Sequence, residues 1–204
     1  MFVPRVFSNT DRAAQHDVIL KFPFATLITS SEGDPFVTHV PLLLDADRGE
    51  HGTIIGHISR ANPHWQLFQA GVISLAVFHG PHAYISPAWY QPPTAVPTWN
   101  YTVVHARGTA EILDDRDQVQ QLLARTVAEF ETNELPELDA ATFDQLIAGV
   151  VAFEMPIDEL EAKFKLGQNR SEADRNASAA QLSSLGHDNL ATAMRDTTVS
   201  HPDR

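Results

Sequence analysis

The chain has 204 residues, 43% of them hydrophobic, which fits one large domain with a buried core. It contains no cysteine, which excludes disulfides, iron–sulfur clusters, cysteine-ligated zinc and thiol nucleophiles. Because 26 acidic side chains face only 14 basic ones, with a formal net charge of −12, direct nucleic-acid binding is disfavoured.

The first residues, Met1–Arg5, have neither the basic flank nor the apolar run of a signal peptide. No stretch approaches the roughly 18 apolar residues that a membrane span requires. We therefore expect a cytoplasmic protein without a membrane segment.

The first third of the chain predicts one helix and then a meander of strands. Ser8 to Asp11 offer helix caps, so a helix is expected to run to Lys21 and to end before Pro23. Alternating apolar residues then predict strands over residues 24–30, 36–44 and 53–58. Pro41 inside the second of these indicates an edge strand or a bulge.

A change from strand to helix is predicted over residues 56–65. Ser59 or Asn62 would cap the helix and Pro63 would occupy its first position. Backbone N–H groups at a helix start favour anions, and Arg60 adds a bidentate phosphate partner. The alternative interpretation is a well-capped helix with a surface arginine.

Residues 82–108 hold all three tyrosines and two of the three tryptophans, separated by Pro92, Pro93 and Pro97. Prolines fix the backbone, and aromatic rings with polar tips suit a flat, apolar site with hydrogen bonds at its edge. An aromatic corner of the core under a long loop is the alternative.

The second half predicts more strands and two amphipathic helices. Strands are expected over residues 72–78, 99–106, 107–113 and 151–155. Asp114 and Asp115 would cap a helix with one apolar face, and a further helix should follow Pro136. About seven strands interrupted by a few helices indicate a mainly β protein, a closed barrel with helical additions.

Residues 163–175 place amide donors and cations just before a helix that Ser171 would cap. Glu172 and Asp174 already satisfy the helix dipole, so Gln168, Asn169 and Arg170 are candidate side-chain donors to a bound group. A solvated charged turn is the alternative. From Thr197 the tail is expected to be disordered.

Known cofactor and metal motifs give little further guidance. The sequence has no G-x-G-x-x-G, P-loop, H-E-x-x-H or G-x-S-x-G pattern. Histidines at 39, 57, 79, 82 and 105 raise a metal site as an alternative, but hydrogen-bonded strand histidines are the simpler interpretation, and we predict no metal. What remains suits a flat cofactor with a phosphate tail that would itself carry any redox chemistry.

Several blocks, in the same order along the chain, resemble the PaiB-like family of FMN-binding negative transcriptional regulators. The resemblance runs from the first residue to about Leu185. Its blocks are Met1–Pro4, Thr38–Pro41, Gly56–Trp65, Tyr84–Tyr90, Val96–Tyr101 and Lys165–Arg170.

The resemblance implies an FMN-binding split β-barrel over residues 1–185, followed by a C-terminal helix and tail over 186–204, and usually a homodimer. It places the FMN phosphate at the strand-to-helix junction and the flavin ring along the strand at residue 38. The candidate cofactor-binding residues are Thr38, His39, Ser59, Arg60, Asn62, Trp99, Asn100, Lys165, Gln168 and Arg170.

The chain departs from the family pattern at three places. The loop after the Trp89-Tyr90 pair is short, with only Gln91–Ala95 intervening. A His-Glu pair and a further tryptophan that often follow the long helix are missing, and Ala162 and Gly167 replace a usual glycine and serine. The shortened loop would alter the contacts to the flavin ring and the substrate specificity, and would leave the barrel unchanged.

Two functions follow from the resemblance. The first is a flavin-binding regulator, which the acidic surface would direct toward a protein partner or a metabolite signal rather than an operator. The second is an FMN-dependent oxidoreductase or flavin reductase. Haem binding or breakdown, with a strand histidine as iron ligand, is a smaller third alternative.

Overall fold

The computed structural model describes residues 1–90, 96–133 and 139–197. Its contacts divide the chain into two compact units, each described here by itself. The terminal unit comprises Met1–Lys21, His79–Val104 and the chain from Glu161 onward. The central unit comprises Phe22–Phe78 and His105–Leu160. The expected single domain over residues 1–185 stays a prediction.

Nine strands form within the described residues. They are β1 (Ser8–Asn9), β2 (Phe24–Ser31), β3 (Asp34–Asp45), β4 (Thr53–Ser59), β5 (Ile73–Ile85), β6 (Thr98–Thr109), β7 (Glu111–Ile112), β8 (Val150–Pro156) and β9 (Glu159–Lys165).

Six α-helices accompany them. They are α1 (Arg12–Lys21), α2 (Trp65–Gln69), α3 (Arg116–Phe130), α4 (Ala140–Ala148), α5 (Glu172–Ser184) and α6 (Asp188–Asp196). Short 3-10 turns lie at Arg5–Phe7 and Pro87–Trp89.

Antiparallel pairing builds the sheet of the central unit in the order β5, β2, β3, β4, β8 and β7. On β3 the partner changes at Pro41, since the residues up to Pro41 pair with β2 and those from Leu42 pair with β4. Proline lacks the N–H that a continuous ladder needs, which suits it to this change of partner. The expected edge or bulge is thus a switch between two neighbouring strands.

Helix α3 of the central unit covers one face of this sheet. Val119 and Leu122 of α3 pack with Leu43, Ile55 and Ala152 from three strands. Asp115 caps α3 by accepting a hydrogen bond from the backbone of Gln118, as the sequence predicts. The predicted apolar face of α3 is only partly buried, however. Its outer end is exposed, because Val127 and Phe130 are 45% and 47% accessible.

In the terminal unit the strands follow the order β1, β9, β6 and β5, and α5 packs against α6. A buried core joins these helices to the strands. It comprises Ala83, Ile85, Tyr90, Leu166, Ala179, Leu182, Leu190, Ala191 and Met194. The sequence analysis missed β9, although its apolar residues Leu160, Ala162 and Phe164 alternate with charged ones at the period of a strand.

The expected strands and helices are confirmed, with three corrections. Of the strand expected over residues 107–113, residues 107–109 continue β6 and only Glu111–Ile112 form a separate strand. The strand order within each unit does not return to its first strand among the described residues, so the closed barrel is not seen in these pairings. Helix α2 begins at Trp65 rather than Pro63 and has only five residues. Its N-cap position is His64, without a side-chain cap, instead of Ser59 or Asn62. The predicted disordered tail from Thr197 falls mostly outside the described residues.

Gly108 on β6 provides a test of the packing in the central unit. A Cβ at this position would lie 2.0 Å from the carbonyl oxygen of Pro156 and 3.0 Å from Cγ of Met155. Because backbone cannot yield as a side-chain tip can, Gly108→Ala should lower the free energy of unfolding by about 2 kcal/mol. Urea denaturation measures this.

Gly149→Ala is the matched control, since its Cβ would meet only ordinary contacts of 3.4 Å from carbonyl oxygens in a right-handed helical backbone. Equal stability of the two variants would contradict the close approach of β6 to β8.

Candidate functional site

A chain of buried hydrogen bonds crosses the central unit at the strand-to-helix junction. Nδ1 of His64 lies 2.8 Å from the Thr38 hydroxyl, and its Nε2 lies 2.8 Å from the Thr29 hydroxyl. Thr29 continues to the Ser74 hydroxyl at 2.6 Å. Asn62 donates from Nδ2 to Thr38 at 3.0 Å and accepts from the backbone N–H of His64 at 3.1 Å. Three strands and the junction therefore share one polar network.

His64 is fully buried and holds this network in an uncharged form. Its ring packs between those of Phe36 and Phe68, with centroids 4.9 and 5.1 Å away. Burial among apolar rings lowers the pKa of His64 from 6.5 to about 4. A neutral imidazole has one donor and one acceptor, so it fixes which of the two threonine hydroxyls donates and which accepts.

Of the candidate phosphate ligands, Arg60 is already committed to the protein backbone. Its Nε donates to the carbonyl of Ala148 at 2.9 Å and its Nη2 to that of Val150 at 2.8 Å. These contacts satisfy carbonyls at the C-terminal end of α4. The Ser59 hydroxyl accepts from the backbone of Ala61 at 3.3 Å. Helix α2, with five residues, is too short to act as an anion site through its dipole.

A pocket of about 200 Å³ opens beside Arg60 in the central unit. Its walls combine polar surface with the apolar side chains of Trp65, Leu113 and Ile147, and Arg116 supplies a further cation. Arg116 forms an ion pair with Asp144, so this second guanidinium is also partly neutralised.

His39 lies on the exposed side of β3, opposite the side on which Thr38 joins the network. Its Nδ1 is 3.2 Å from the hydroxyl of Thr26 on β2. The neighbouring side chain of Val37 on the same face is 48% exposed. The structure thus brings Thr38 and Asn62 together, and places His39 on an accessible, partly apolar sheet face.

The remaining candidates lie in the terminal unit. Trp99 is 54% exposed, and its ring lies 6.3 Å from that of Tyr84 and 6.4 Å from that of His82. Lys165 donates from Nζ to the Thr98 hydroxyl and, at 2.8 Å, to the Trp99 carbonyl.

Lys165 lies in a group of cations within this acidic chain. Burial lowers its pKa first, and the positive charges of Lys163 and Arg170 lower it further. Three cations that repel one another favour a bound anion.

Gln168, Arg170 and Asn100 all make contacts within the protein. Gln168 closes its own turn, since its Oε1 accepts from the backbone of Leu166 at 2.8 Å and its Nε2 donates to the carbonyl of Phe164. The Arg170 guanidinium lies 4.8 Å from the centre of the Tyr90 ring. Asn100 is 2% exposed and donates to Sδ of Met194 at 3.4 Å.

The aromatic segment is divided between two environments. Tyr90 belongs to the core of the terminal unit and Trp89 packs against that core, whereas Tyr84 and Trp99 are exposed. The short loop Gln91–Ala95 lies outside the described residues. The core interpretation is therefore confirmed for Tyr90, and the binding interpretation of the exposed rings stays a prediction.

Sequence reasoning missed His64, Thr29 and Ser74. The available signal was the position of Thr29, a polar residue on the side of β2 where its neighbours Ala25 and Leu27 are apolar. A buried threonine of this kind needs a hydrogen-bonding partner. Within the described residues there is no group of three His, Asp or Glu placed to hold a metal ion, and no helix there is long and apolar enough to span a membrane.

Comparison with known proteins identifies relatives over most of the chain. The family model described as "Putative FMN-binding domain" matches residues 1–159. The chain is 32% identical over 206 residues to the Bacillus subtilis (strain 168) "Protease synthase and sporulation protein PAI 2", covering 93% of this chain and 98% of the relative.

Two solved structures share the fold. The flavocytochrome Anf3 from Azotobacter vinelandii has a TM-score of 0.65 at 18% identity, covering 84% of this chain and 77% of its own. The FAD and haem binding protein from Mycobacterium smegmatis has a TM-score of 0.62 at 18% identity, covering 78% and 74%. The expected split-barrel fold class is confirmed.

The depressed pKa of His64 predicts acid sensitivity. Its stabilising effect as a neutral group is complete above pH 6.5 and is lost as pH falls toward 4, because the unfolded chain binds the proton more readily. We expect the free energy of unfolding to fall by about 2.5 kcal/mol by pH 4.5 on this account. Urea unfolding across this pH range measures the change.

His64→Gln should flatten this dependence, and His79→Gln at an exposed position should leave it as in the wild type. His57, whose pKa burial also lowers, contributes in the same direction and remains in both variants. A His64→Gln protein with the wild-type slope would show that His64 is not the group responsible.

Proposed function

The chain belongs to this FMN-binding domain family, and we propose that it is a flavin-dependent homodimeric regulator that acts through a partner or by sensing a metabolite. FMN is its cofactor, and a bound flavin would supply the redox-active ring. The chain's own residues would bind and orient the cofactor.

The observation that carries the proposal is the hydrogen-bonded group of Thr38, Asn62 and His64. Buried His64 fixes the Thr38 hydroxyl, and Asn62 uses one amide hydrogen on Thr38, so a second remains for a ligand. Pre-oriented neutral donors suit the polar edge of a flat cofactor.

The cations of the terminal unit support flavin binding independently. Lys165, held by the Thr98 hydroxyl and the Trp99 carbonyl, is a fixed charge next to an exposed indole ring. A phosphate or an electron-rich ring edge would relieve its repulsion from Lys163 and Arg170. Arg60 is better explained as a structural cap on α4, and Gln168 as part of its own turn.

An exposed apolar face in the central unit supports the homodimer. Ile28 pairs with Val37 on one side and Leu75 on the other, which places these side chains on one face. Phe24 and Ile73 continue this face and are 67% and 63% exposed. Contiguous exposed apolar side chains mark an interaction surface, and symmetric dimers are its commonest use.

The regulatory role draws on the printed name of the Bacillus relative, which links that protein to protease synthesis and sporulation. The net charge of −12 argues against contact with an operator by this chain alone. We therefore place a protein partner or a small-molecule signal between the flavin and gene expression.

Flavin binding is tested by titrating FMN and following its quenched fluorescence and altered absorbance. Asn62→Asp replaces the donor with a carboxylate that can donate neither to Thr38 nor to the ligand. We expect its dissociation constant to rise about tenfold, as the loss of one hydrogen bond implies.

Asn176→Asp, at an exposed position of α5, is the matched control and should bind FMN as the wild type does. Unchanged affinity in Asn62→Asp would remove the junction from the flavin site. Reduction of the bound flavin by NADH or NADPH faster than in buffer would instead favour the oxidoreductase.

The homodimer is tested by Ile73→Lys, which places a charge on the apolar face without disturbing the core. The dimer dissociation constant should rise about tenfold or more, since a lysine loses hydration when it is buried in an interface. Sedimentation velocity across a dilution series measures it.

Leu20→Lys, at a 50% exposed position of α1, is the control and should leave the dimer intact. A wild-type protein that is monomeric at all concentrations, or an Ile73→Lys dimer of unchanged affinity, would contradict this interface.

A further inference from the structure

Arg175 on α5 is a buried cation without a hydrogen-bonding partner among the described residues. The residue is 6% exposed, and neither Nε nor Nη1 finds an acceptor there. Ser178, one turn further along the same helix, is fully buried and its hydroxyl is also without a partner in the described chain. Residues three apart on a helix are neighbours, so these unsatisfied donors share one face.

This arrangement is costly unless something else binds there. A guanidinium remains charged under all ordinary conditions, and a buried charge without a counter-ion costs several kcal/mol. Arg175 also lies near the N-terminal end of α5, which begins at Glu172, where the helix dipole disfavours a cation. Glu172 is exposed, and no ion pair within the described chain involves Arg175.

The surroundings of Arg175 supply further donors and only weak acceptors. Gly167 packs over its aliphatic part, since a Cβ at Gly167 would lie 3.0 Å from Cγ of Arg175. The same Cβ would lie 3.7 Å from Nδ2 of Asn100, which donates to the thioether of Met194. A thioether sulfur is a poor acceptor. The Ser178 hydroxyl and the Asn100 amide also carry oxygen acceptors, but Nε and Nη1 of Arg175 bond to neither of them.

We infer that Arg175, with Ser178 and the amide of Asn100, forms a buried anion site in the terminal unit, separate from the flavin, that takes a small carboxylate or phosphate. An anion accepts from all three donors and neutralises the charge, whereas a water molecule accepts from at most two of them and leaves the charge in place. Such a ligand is suited to act as the metabolite signal of a regulator. The site itself rests on the buried donors and is independent of the proposed function.

The test is thermal unfolding of the full chain in chloride, in inorganic phosphate and in acetate at matched ionic strength, with and without FMN. In the FMN-free and the FMN-loaded protein alike, one of the two anions at ten times its dissociation constant should raise Tm by about 3–5 °C over chloride. The more effective anion identifies the ligand as a phosphate or a carboxylate.

Three variants separate this site from general salt effects. Arg175→Met keeps the packing volume and removes the charge, so it should lose the anion effect and be more stable than wild type in chloride. Ser178→Ala should weaken the effect several-fold while Arg175 stays in place. Arg5→Met, at an exposed position, should respond as the wild type does.

The inference is overturned if neither anion exceeds chloride, if Arg175→Met responds to the anions as the wild type does, or if FMN abolishes the response. The last result would assign Arg175 to the flavin phosphate. If Arg175→Met fails to fold, Ser178→Ala decides, because a wild-type response in that variant also contradicts the site. Failure of FMN binding in the Asn62 experiment leaves this result unaffected, so the two proposals fail separately.

Discussion

The central unit depends on keeping one imidazole neutral. His64 sits between two phenyl rings, where a charge would be expensive, and satisfies both ring nitrogens with threonine hydroxyls from β2 and β3. Because Ser74 of β5 joins through Thr29, the same network links three adjacent strands. The result is a rigid hydrogen-bonded network that extends from buried Ser74 to half-buried Thr38. Removing any member would leave a buried donor or acceptor unpaired, which costs more than the bond itself contributes.

Charge is distributed unevenly along the chain. The chain is strongly acidic, yet Lys163, Lys165, Arg170 and Arg175 fall within thirteen residues. Several cations elsewhere are paired with carboxylates, as Arg48 with Glu154 and Arg125 with Asp45. Within the cluster, no carboxylate lies close enough to Lys165, Arg170 or Arg175 for an ion pair in the described chain. An acidic protein that leaves cations together has a local use for negative charge.

The fold was largely predictable because alternation and capping are local signals. The strands of the central unit and the caps Asp115 and Ser171 follow directly from residue order. Helix α2 was misplaced because proline and Asn62 resemble a helix start, while the junction uses the Asn62 side chain to fix the backbone of His64. The change of partner at Pro41 depends on β4, which no local pattern reveals.

The candidate site was harder to predict, because the same side chains serve structure and ligand. Arg60 has the sequence position of a phosphate ligand. Its guanidinium nevertheless donates to the carbonyls of Ala148 and Val150, which are nearly ninety residues further along the chain. The sequence did not predict a binding role for Arg175, because an arginine inside a helix usually faces water. Only the burial of the Nε and Nη1 donors in the structure distinguishes Arg175 from a surface arginine. Which donors of a cation the fold leaves unsatisfied therefore depends on tertiary contacts that its place in a motif does not reveal.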